Sequence, residues 1–401
     1  MSETASEISK IANAGRRSRR SLLDDPRLRA ILLQALLLIV VAGLGWALFE
    51  NARANLASRN IASGFGFFDV TAGFAIGQTL IPYAESSTYG RAFVVGLLNT
   101  LLVSGIGIVL TTVLGFLIGV ARLSKNMLLS QLAGAYVEVV RNLPLLFQIL
   151  FWYLAVLGTM PGPRQSLSIP GGVYLNNRGI MLPKPLFGAG SSAILIAFLA
   201  GCALAWMLSL WARRRRAAGK TVATGWITLT LVIAPPAAAF VLAGAPISFE
   251  RPELTGFNFS GGLRILPEFL ALLVALVTYT AAYIAEIVRA GILAIPRGQA
   301  EAAYSLGLRR APTLRLVVLP QAMRVIVPPL TSQYLNLTKN SSLAAAIGYP
   351  DFFYVFAGTT LNQTGQAIEI IAITMAVYLL ISLLTSAAMN VYNRRLALQE
   401  R

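Results

Sequence analysis

The chain of 401 residues contains no histidine and a single cysteine. Without histidine it can form no HExxH zinc motif and no histidine-based catalytic triad, and it lacks the commonest ligand of haem. The lone cysteine excludes the class of small secreted domains held by disulfides. No GxxxxGK[ST] phosphate-binding loop occurs, so a process that consumes ATP would need its ATPase on another chain. We expect neither a metal nor a cofactor.

Charged residues are also scarce, at 12% of the chain, whereas hydrophobic residues make up 56% and the mean hydropathy is +0.69. This is more apolar surface than a soluble domain buries around one core, and it indicates an integral membrane protein. The formal net charge of +17 does not indicate a nucleic-acid partner, because the basic residues lie between apolar runs and not on one polar face. Membrane lipid is the expected partner of the basic N-terminal residues.

Eight apolar runs are long enough to cross a bilayer as helices. They predict an all-α integral membrane protein with about eight transmembrane helices, of which the third and seventh runs are the most interrupted by polar residues and proline. Most lysines and arginines fall on one side if both termini are cytoplasmic, which fixes the expected orientation. The predicted spans cover residues 30–49, 92–120, 131–158, 190–211, 222–243, 266–289, 317–338 and 367–390.

The spacing of the runs also predicts the domain organisation. We expect a basic cytoplasmic tail, an extra N-terminal span with a periplasmic segment, a transmembrane domain with an inserted helical hairpin, and a short cytoplasmic tail; these cover residues 1–29, 30–91, 92–393 (hairpin about 160–263) and 394–401. The inner turn of the hairpin, "ARRRRAAGK", is interpreted as a topology anchor. Glycine and proline in the non-cytoplasmic segments predict loops there, at Ser63–Gly66, Pro161–Pro163, Pro170–Gly172 and Phe249–Gly262.

A short polar stretch, "EAAYSLGLRRAPTLRLVVLP", interrupts the apolar pattern at residues 301–320. Pro296 suits the first turn of a helix, and Glu301 would complement the positive N-terminal end of that helix's dipole. Gly307 is suited to a left-handed helix stop. The pattern predicts a helix over about 297–306, a tight turn and a second helix, with alanines that another protein can approach closely. A capped interfacial helix without a partner is the plainer alternative.

The spacing within this stretch resembles the EAA loop of binding-protein-dependent ABC import permeases. The match is EAA-x3-G-x9-I-x-LP, with Val317 in place of isoleucine. In that family the loop is a coupling helix that docks into a groove of the ATPase subunit. The resemblance implies that the coupling residues are Glu301, Ala302, Ala303, Gly307, Leu319 and Pro320.

Further stretches resemble the polar amino acid permeases of that family, and the longer layout is similar to the Q-type subunit of general L-amino acid transporters. The quoted matches are "GLLNTLLVSGIGIVL", "VEVVRNLPLLFQILFWY", "YTAAYIAEIVRAGILAIPRGQAEAAYSLGL" and "LPQAMRVIVPPLTSQYLNLTKNSSL". The resemblance implies an ABC type I importer permease core with an extra N-terminal span. One departure is Lys339–Asn340, where such permeases often have Lys-Asp, so no role can be assigned to a carboxylate there.

Polar side chains at membrane depth are costly and therefore mark a candidate substrate pathway. Glu138 and Arg141 are three residues apart and could pair with each other or contact substrate. Glu286 and Arg289 are more readily interpreted as a structural pair. We predict a break at Pro328–Pro329 that opens a polar cavity. The candidate pathway residues are Glu138, Arg141, Asn142, Gln148, Tyr283, Glu286, Gln333, Asn336, Lys339 and Asn340.

The sequence therefore predicts a non-enzymatic permease subunit of an ATP-driven importer of L-amino acids in the bacterial inner membrane. The expected partners are a homologous permease in a heterodimer, ABC ATPase subunits, a periplasmic amino-acid-binding protein and the amino acid substrate. Three alternatives remain: an autonomous transporter or channel driven by an ion gradient, an ABC permease for another small polar solute, and a membrane-embedded enzyme.

Overall fold

The computed structural model describes residues 26–58, 63–218 and 224–396. The predicted basic tail up to residue 25, Lys220 of the arginine-rich turn and the C-terminal residues from 397 lie outside the described residues. The helices are α1 (Pro26–Ser58), α2 (Tyr89–Ala121), α3 (Met127–Asn142), α4 (Leu145–Leu150), α5 (Ser191–Ala217), α6 (Gly225–Leu242), α7 (Pro267–Leu293), α8 (Arg297–Ser305), α9 (Arg310–Thr313), α10 (Leu319–Asn340), α11 (Leu361–Thr364) and α12 (Ala367–Leu396).

Several helices continue through tighter or wider turns. Phe151–Leu157 extends α4 as a π-helix, Leu314–Val318 joins α9 to α10 as another, and Phe353–Thr360 forms a third before α11. Short 3₁₀ segments are Gly66–Asp69, Pro163–Gln165 and Ser341–Ile347. The chain is therefore mostly helical, as predicted.

Seven helical segments in the described ranges are long and apolar enough to cross a membrane, and an eighth exists if α3 and α4 form one bent span. Each lies where a span was predicted. The two segments of the third span meet at 106°, because Pro144 lacks a backbone N–H and disfavours helix in the residue before it. The seventh, by contrast, runs without a break from Ala311 to Ile347.

The chain divides into two compact units. The first consists of Met1–Phe67 with Gln363–Glu369; within it the backbone N–H of Gly64 donates to the carboxylate of Glu369 at 2.7 Å. The apolar stretch of α1 has no buried residues, as expected for a helix that faces lipid all round. The second unit, Phe68–Asn362 with Ile370–Arg401, contains the helical bundle.

Helix α7 is the centre of the second unit. Its face carries small, fully buried residues, namely Ala271, Ala275, Ala281, Ala282 and Ala285. Helix α2 approaches this face closely through two glycines: a Cβ at Gly119 would lie 2.8 Å from the carbonyl oxygen of Ala285, and one at Gly115 would lie 2.6 Å from Ile284. Small residues four apart let membrane helices pack backbone to backbone.

Helices α2 and α7 run in the same direction. Thr111 of α2 meets Val277 of α7, and further along both helices Arg122 meets Glu286. Two spans can be parallel only if an odd number of crossings separates them. With α5 and α6 as two crossings, the bent pair α3–α4 has to be the third, which favours eight spans over seven.

Eight short strands occupy the segments flanking α5 and α6, where the sequence predicted loops. The strands are β1 (Leu167–Ile169), β2 (Val173–Asn176), β3 (Gly179–Leu182), β4 (Lys184–Phe187), β5 (Ile247–Glu250), β6 (Glu253–Thr255), β7 (Asn258–Ser260) and β8 (Leu263–Ile265). The glycines that suggested loops serve as turns between strands of three or four residues, which are too short for a clear alternating pattern. The order β1-β2-β3-β8 is antiparallel, and β4 pairs with β5 and β6 with β7. We call residues 167–187 and 247–265, which contain these strands and their turns, the β-module.

Strands of the β-module precede and follow the inserted hairpin in the sequence. Helices α5 and α6 lie at the positions predicted for the hairpin and pack on each other. A Cβ at Gly201 would lie 2.2 Å from the carbonyl oxygen of Leu231, so glycine is required at this contact. Strand β8 then leads through Leu266 directly into α7. The domain boundaries themselves stay a prediction.

Candidate functional site

Helix α8 is the predicted coupling helix, and its ends agree with the sequence. It begins after Pro296 and ends before Gly307, which adopts a left-handed φ of +81°. The backbone N–H groups of Gly307 and Leu308 close the C-terminus on the carbonyls of Tyr304 and Ala303, as in a Schellman-type stop. The dipole argument for Glu301 is wrong, because Glu301 lies in the second turn and the dipole effect is confined to the first.

The exposed face of α8 differs from the predicted one at one position. Glu301 and Ala302 are exposed, but Ala303 is only 4% exposed because it packs inward. The exposed apolar side chains are Tyr304 and Leu306, the latter 83% exposed. Consecutive residues on a helix point about 100° apart, so two neighbouring alanines cannot both lie at the centre of one contact surface. Sequence reasoning missed Leu306, whose signal was a leucine directly before the helix-stopping glycine.

Two features join α8 to the bundle. The Gln321 side-chain amide of α10 donates to the Gln299 side-chain oxygen of α8 at 3.2 Å. Beside it, a mostly apolar cavity of about 590 Å³ is bounded by the turn between α2 and α3 and by the segment from α8 to α10. Leu319 lines this cavity and is half-buried, whereas Pro320 is exposed. Of the coupling residues, Leu319 therefore helps seat the helix and does not present a surface.

A charge cluster lies where α2 and α7 end near α8. Arg122 and Arg289 both pair with Glu286, the second at 2.7 Å. Each carboxylate oxygen of Glu286 accepts from one guanidinium, so the side chain is fully occupied. This favours the structural-pair interpretation of Glu286 and Arg289, and it adds Arg122, which the sequence did not suggest because it lies on a different helix.

The bend at Pro144 assigns Gln148 a structural role. Its side-chain amide donates to the carbonyls of Val140 and Leu143, both at 3.0 Å, and the residue is buried. Those carbonyls lose their helical partners at the break, and an unpaired carbonyl at membrane depth is costly. The Gln148 amide is therefore hydrogen-bonded within the chain at this bend, and its place in a substrate pathway stays a prediction.

The other pathway candidates of α3 remain at the surface of the chain. Among the described residues, Glu138 and Arg141 form no ion pair with each other. Instead the Arg141 guanidinium lies over the ring of Tyr283 at 5.0 Å, and the Tyr283 hydroxyl bonds to that of Tyr279 at 3.1 Å. Asn142 caps its own helix by donating to the carbonyl of Glu138 at 2.8 Å. The cation–π contact leaves the hydrogen-bonding capacity of Arg141 free for a carboxylate.

The predicted break at Pro328–Pro329 is wrong. Helix α10 runs continuously through both prolines, whose rings are exposed. Buried neighbours hold the backbone helical: Ile326 and Leu330 pack in one cluster with Ile284 of α7. Tertiary packing thus outweighs the local cost of the prolines. The broken helix occurs at Pro144 instead.

The polar residues of α10 form a stripe on its free side. Exposed positions recur at three- and four-residue spacing, at Pro329, Ser332, Asn336 and Lys339, and Gln333 and Asn340 are half-buried beside them. The opposite side is buried, and there Tyr334 bonds to Thr112 of α2 at 2.8 Å. A lysine within a span is tolerated only where it faces a partner or a water-filled cavity. We call Ser332, Gln333, Asn336, Lys339 and Asn340 the polar stripe.

A second buried network, not found from the sequence, lies after α10. The carboxylate of Asp351 is fully buried and accepts from the backbone N–H of Tyr354 and from the Tyr378 hydroxyl at 3.2 Å. Burial raises the pKa of Asp351 to about 7. The Asn99 side chain of α2 donates to the carbonyl of Pro350. The signal was a lone aspartate after "IGYP", and its meaning depends on contacts with distant helices. No group of histidine, cysteine, aspartate or glutamate within the described ranges could hold a metal ion.

The bundle of apolar helices with one short exposed helix defines a multi-pass membrane protein. Its sequence matches the family of binding-protein-dependent transport system inner membrane components over residues 111–398. The chain belongs to this family and is a permease subunit.

Three relatives resemble it over nearly their full length. It is 50% identical over 383 residues to the general L-amino acid transport system permease protein AapQ of Rhizobium johnstonii (95% of this chain, 96% of the relative). It is 54% identical over 379 residues to the putative amino-acid ABC transporter permease protein YhdX of Escherichia coli (94% and 96%). The glutamate/glutamine/aspartate/asparagine transport system permease protein BztB of Rhodobacter capsulatus is 44% identical over 413 residues (95% and 96%).

Proposed function

We propose that this chain is the permease subunit of an ATP-driven importer that translocates L-amino acids across the bacterial inner membrane. The three relatives, matched over their whole length, are named for amino acid transport. The distribution of lysine and arginine supports an orientation with both termini in the cytoplasm. In this orientation α8 lies on the cytoplasmic side.

The observation that carries the proposal is α8 itself. It is a short helix with sharp ends; Glu301 and Ala302 are exposed on it, and Leu306 is exposed directly after it. We infer that a separate ATPase chain binds this surface and hydrolyses the ATP. An exposed leucine beside a small residue provides the shape contact, and the carboxylate provides orientation.

Contacts within the chain link a displacement of α8 to the helices of the bundle. The Gln299–Gln321 hydrogen bond joins α8 to α10, and α8 also packs against the π-helical segment Leu314–Val318 that leads into α10. Because α10 carries the polar stripe, a displacement of α8 reorients the groups that face the substrate. ATP binding would thus select the conformation that opens towards a periplasmic amino-acid-binding protein.

The polar stripe is incomplete as a binding surface, because it faces away from the chain's own core. We infer that a homologous permease, most simply in a heterodimer, supplies the opposite wall. Asn336 and Gln333 can meet both ends of a zwitterion, since amides donate and accept. Lys339 and Arg141 can bind its carboxylate.

The proposal is tested by Gly307→Asp in the complete complex reconstituted in proteoliposomes. The substitution would add a charge and a side chain at the docking surface, and we expect uptake of L-glutamine to be lost while the chain still inserts and assembles. The matched control is Gly256→Asp, since Gly256 also has a positive φ, of +64°, and open space around it, but lies in the β-module. Uptake should persist in the control. Normal uptake by an assembled Gly307→Asp complex contradicts the docking role, and absence of amino acid uptake by the wild-type complex contradicts the substrate class.

A further inference from the structure

A second cavity lies at the end of α7 remote from α8. It has a volume of about 520 Å³, within the range of small-molecule sites. Its walls come from three parts of the second unit: the segment at Phe74–Gly77, the junction of β8 with α7, and the segment from Gly348 to Thr359. The 27 residues of α7 separate its two ends by about 40 Å at 1.5 Å per residue. The cavity therefore faces the membrane side opposite to α8.

One arginine and one glutamate line this cavity. Arg264 lies on β8 and Glu268 in the first turn of α7. Among the described residues neither forms an ion pair. The Arg264 Nε donates to the carbonyl of Arg178 at 3.2 Å, which holds the guanidinium while leaving both Nη groups without a partner in the described part of the chain. Glu268 accepts one hydrogen bond there, from the Tyr153 hydroxyl at 3.0 Å, and keeps its second oxygen free.

The backbone around these charges leaves space for a ligand. A Cβ at Gly348 would meet no atom within 4 Å, and one at Gly77 would meet only the side chain of Leu266 at 3.8 Å. Tyr354 and Thr359 also line the cavity. The site thus combines a fixed cation, a fixed anion and open, polar surroundings.

We propose that this cavity is an entry site that binds free α-amino acids as zwitterions, with the carboxylate on Arg264 and the ammonium on Glu268. This inference rests on the proposed function and adds to it a place where the substrate is held before it reaches the polar stripe. Both groups of the ligand are common to all α-amino acids, so the site selects for the backbone and not for the side chain. A guanidinium binds a carboxylate with two parallel hydrogen bonds, and a carboxylate accepts from an ammonium.

The position of the site connects binding to the rest of the bundle. Arg264 and Glu268 lie on either side of Pro267, where the sheet of the β-module becomes α7. A ligand held by both residues therefore bridges the β-module and the central helix. The segment from Gly348 that closes the cavity is joined to α2 through Pro350 and Asn99.

The experiment uses the complete complex in detergent, without the binding protein, and measures equilibrium binding of radiolabelled L-glutamine. Arg264→Gln and Glu268→Gln should each weaken binding by about tenfold or more, because each removes a charge-assisted contact. Arg251→Gln and Glu253→Gln make the same charge changes on exposed residues of the β-module outside the cavity and should leave binding unchanged. Ala75→Leu, which keeps both charges but fills the cavity, should also weaken binding.

Ligand analogues identify which residue binds the carboxylate of the amino acid and which binds its ammonium group. Glutamine whose α-carboxylate is blocked as a carboxamide should bind the wild-type complex and Arg264→Gln equally weakly. Glutamine whose amino group is acetylated should bind the wild-type complex and Glu268→Gln equally weakly. If the wild-type complex transports L-glutamine in proteoliposomes but binding and uptake are unaffected by all three cavity variants, the entry site is refuted and the proposed function stands. If the wild-type complex does not transport amino acids, both are refuted. Loss of binding in the Arg251 and Glu253 controls as well refutes the cavity as the site.

Discussion

The two ends of α7 differ in whether their charged residues form ion pairs. At the end near α8, Glu286 pairs with both Arg122 and Arg289, so every charge of the cluster has an oppositely charged partner. At the other end Arg264 and Glu268 line a cavity and do not pair. A compensated cluster fastens helices together, whereas uncompensated charges facing a cavity are available to a ligand. The same residue types thus serve structure at one end and recognition at the other.

We expect the largest effect on stability from removing the charge of Glu286 in the ion-pair cluster. Glu286→Gln leaves the two guanidinium groups next to each other without their carboxylate. Because the three side chains are 15–34% exposed, the expected loss is about 2 to 3 kcal/mol, at or below the lower end of the range for a fully buried pair. We expect a large fall in the thermal unfolding midpoint of the purified complex. Glu286→Asp, which keeps the charge, is the control and should recover part of the stability. An unchanged midpoint in Glu286→Gln would show that the cluster does not hold α2 to α7.

The close approach of α2 and α7 provides the next test. Gly119→Ala places a methyl group 2.8 Å from a backbone oxygen, and overpacking of this kind costs about 2 kcal/mol. Gly105→Ala on the same helix meets no atom within 4 Å and should be neutral or slightly stabilising, since alanine favours helix. The two unfolding midpoints are compared directly. Equal midpoints would contradict backbone-to-backbone packing at Gly119.

A smaller, pH-dependent effect is expected at Asp351. Its pKa of about 7 lies above the usual value because burial disfavours the charged form. Between about pH 4 and 7 the native state therefore keeps a proton on Asp351 that the unfolded state releases. The contribution of this proton to the free energy of unfolding is complete below about pH 4 and is lost as the pH rises to about 7. Asp351→Asn should make the thermal unfolding midpoint less dependent on pH between pH 5 and 8. A wild-type profile that does not fall over this range would contradict the shifted pKa.

The smallest effect on stability is predicted at the uncompensated end. Glu268→Gln keeps an acceptor for the Tyr153 hydroxyl and breaks no ion pair of the described residues, so we expect a change within about 0.5 kcal/mol. Measured beside Glu286→Gln, it contrasts the two ends of one helix with the same substitution. A loss as large as that of Glu286→Gln would mean that Glu268 is also structural.

The sequence predicted the elements that depend on local chemistry. Apolar runs defined eight spans, and Pro296 with Gly307 defined both ends of α8. It failed where neighbours in space decide. The prolines at 328 and 329 do not interrupt α10, because packing against α7 holds it, and Gln148 satisfies carbonyls freed by Pro144.

The same limit applies to the candidate site. Three-residue spacing placed Glu138 and Arg141 on one helix face, but Arg141 turns to Tyr283 of another helix. Arg122 and Asp351 acquire their roles only from helices distant in the sequence. Strands of three or four residues in the β-module carry too few positions for a periodic signal.

The glycines at 115 and 119 limit how the bundle can move. Because neither glycine carries a side chain, the backbone of α2 lies directly against Ile284, Ala285 and Val288 of α7, and we expect the two helices to move together. A tilt of α2 beside α8 would then be accompanied by the same tilt of α7 at the far cavity, and spectroscopic labels on the two helices should report a constant mutual angle throughout the transport cycle.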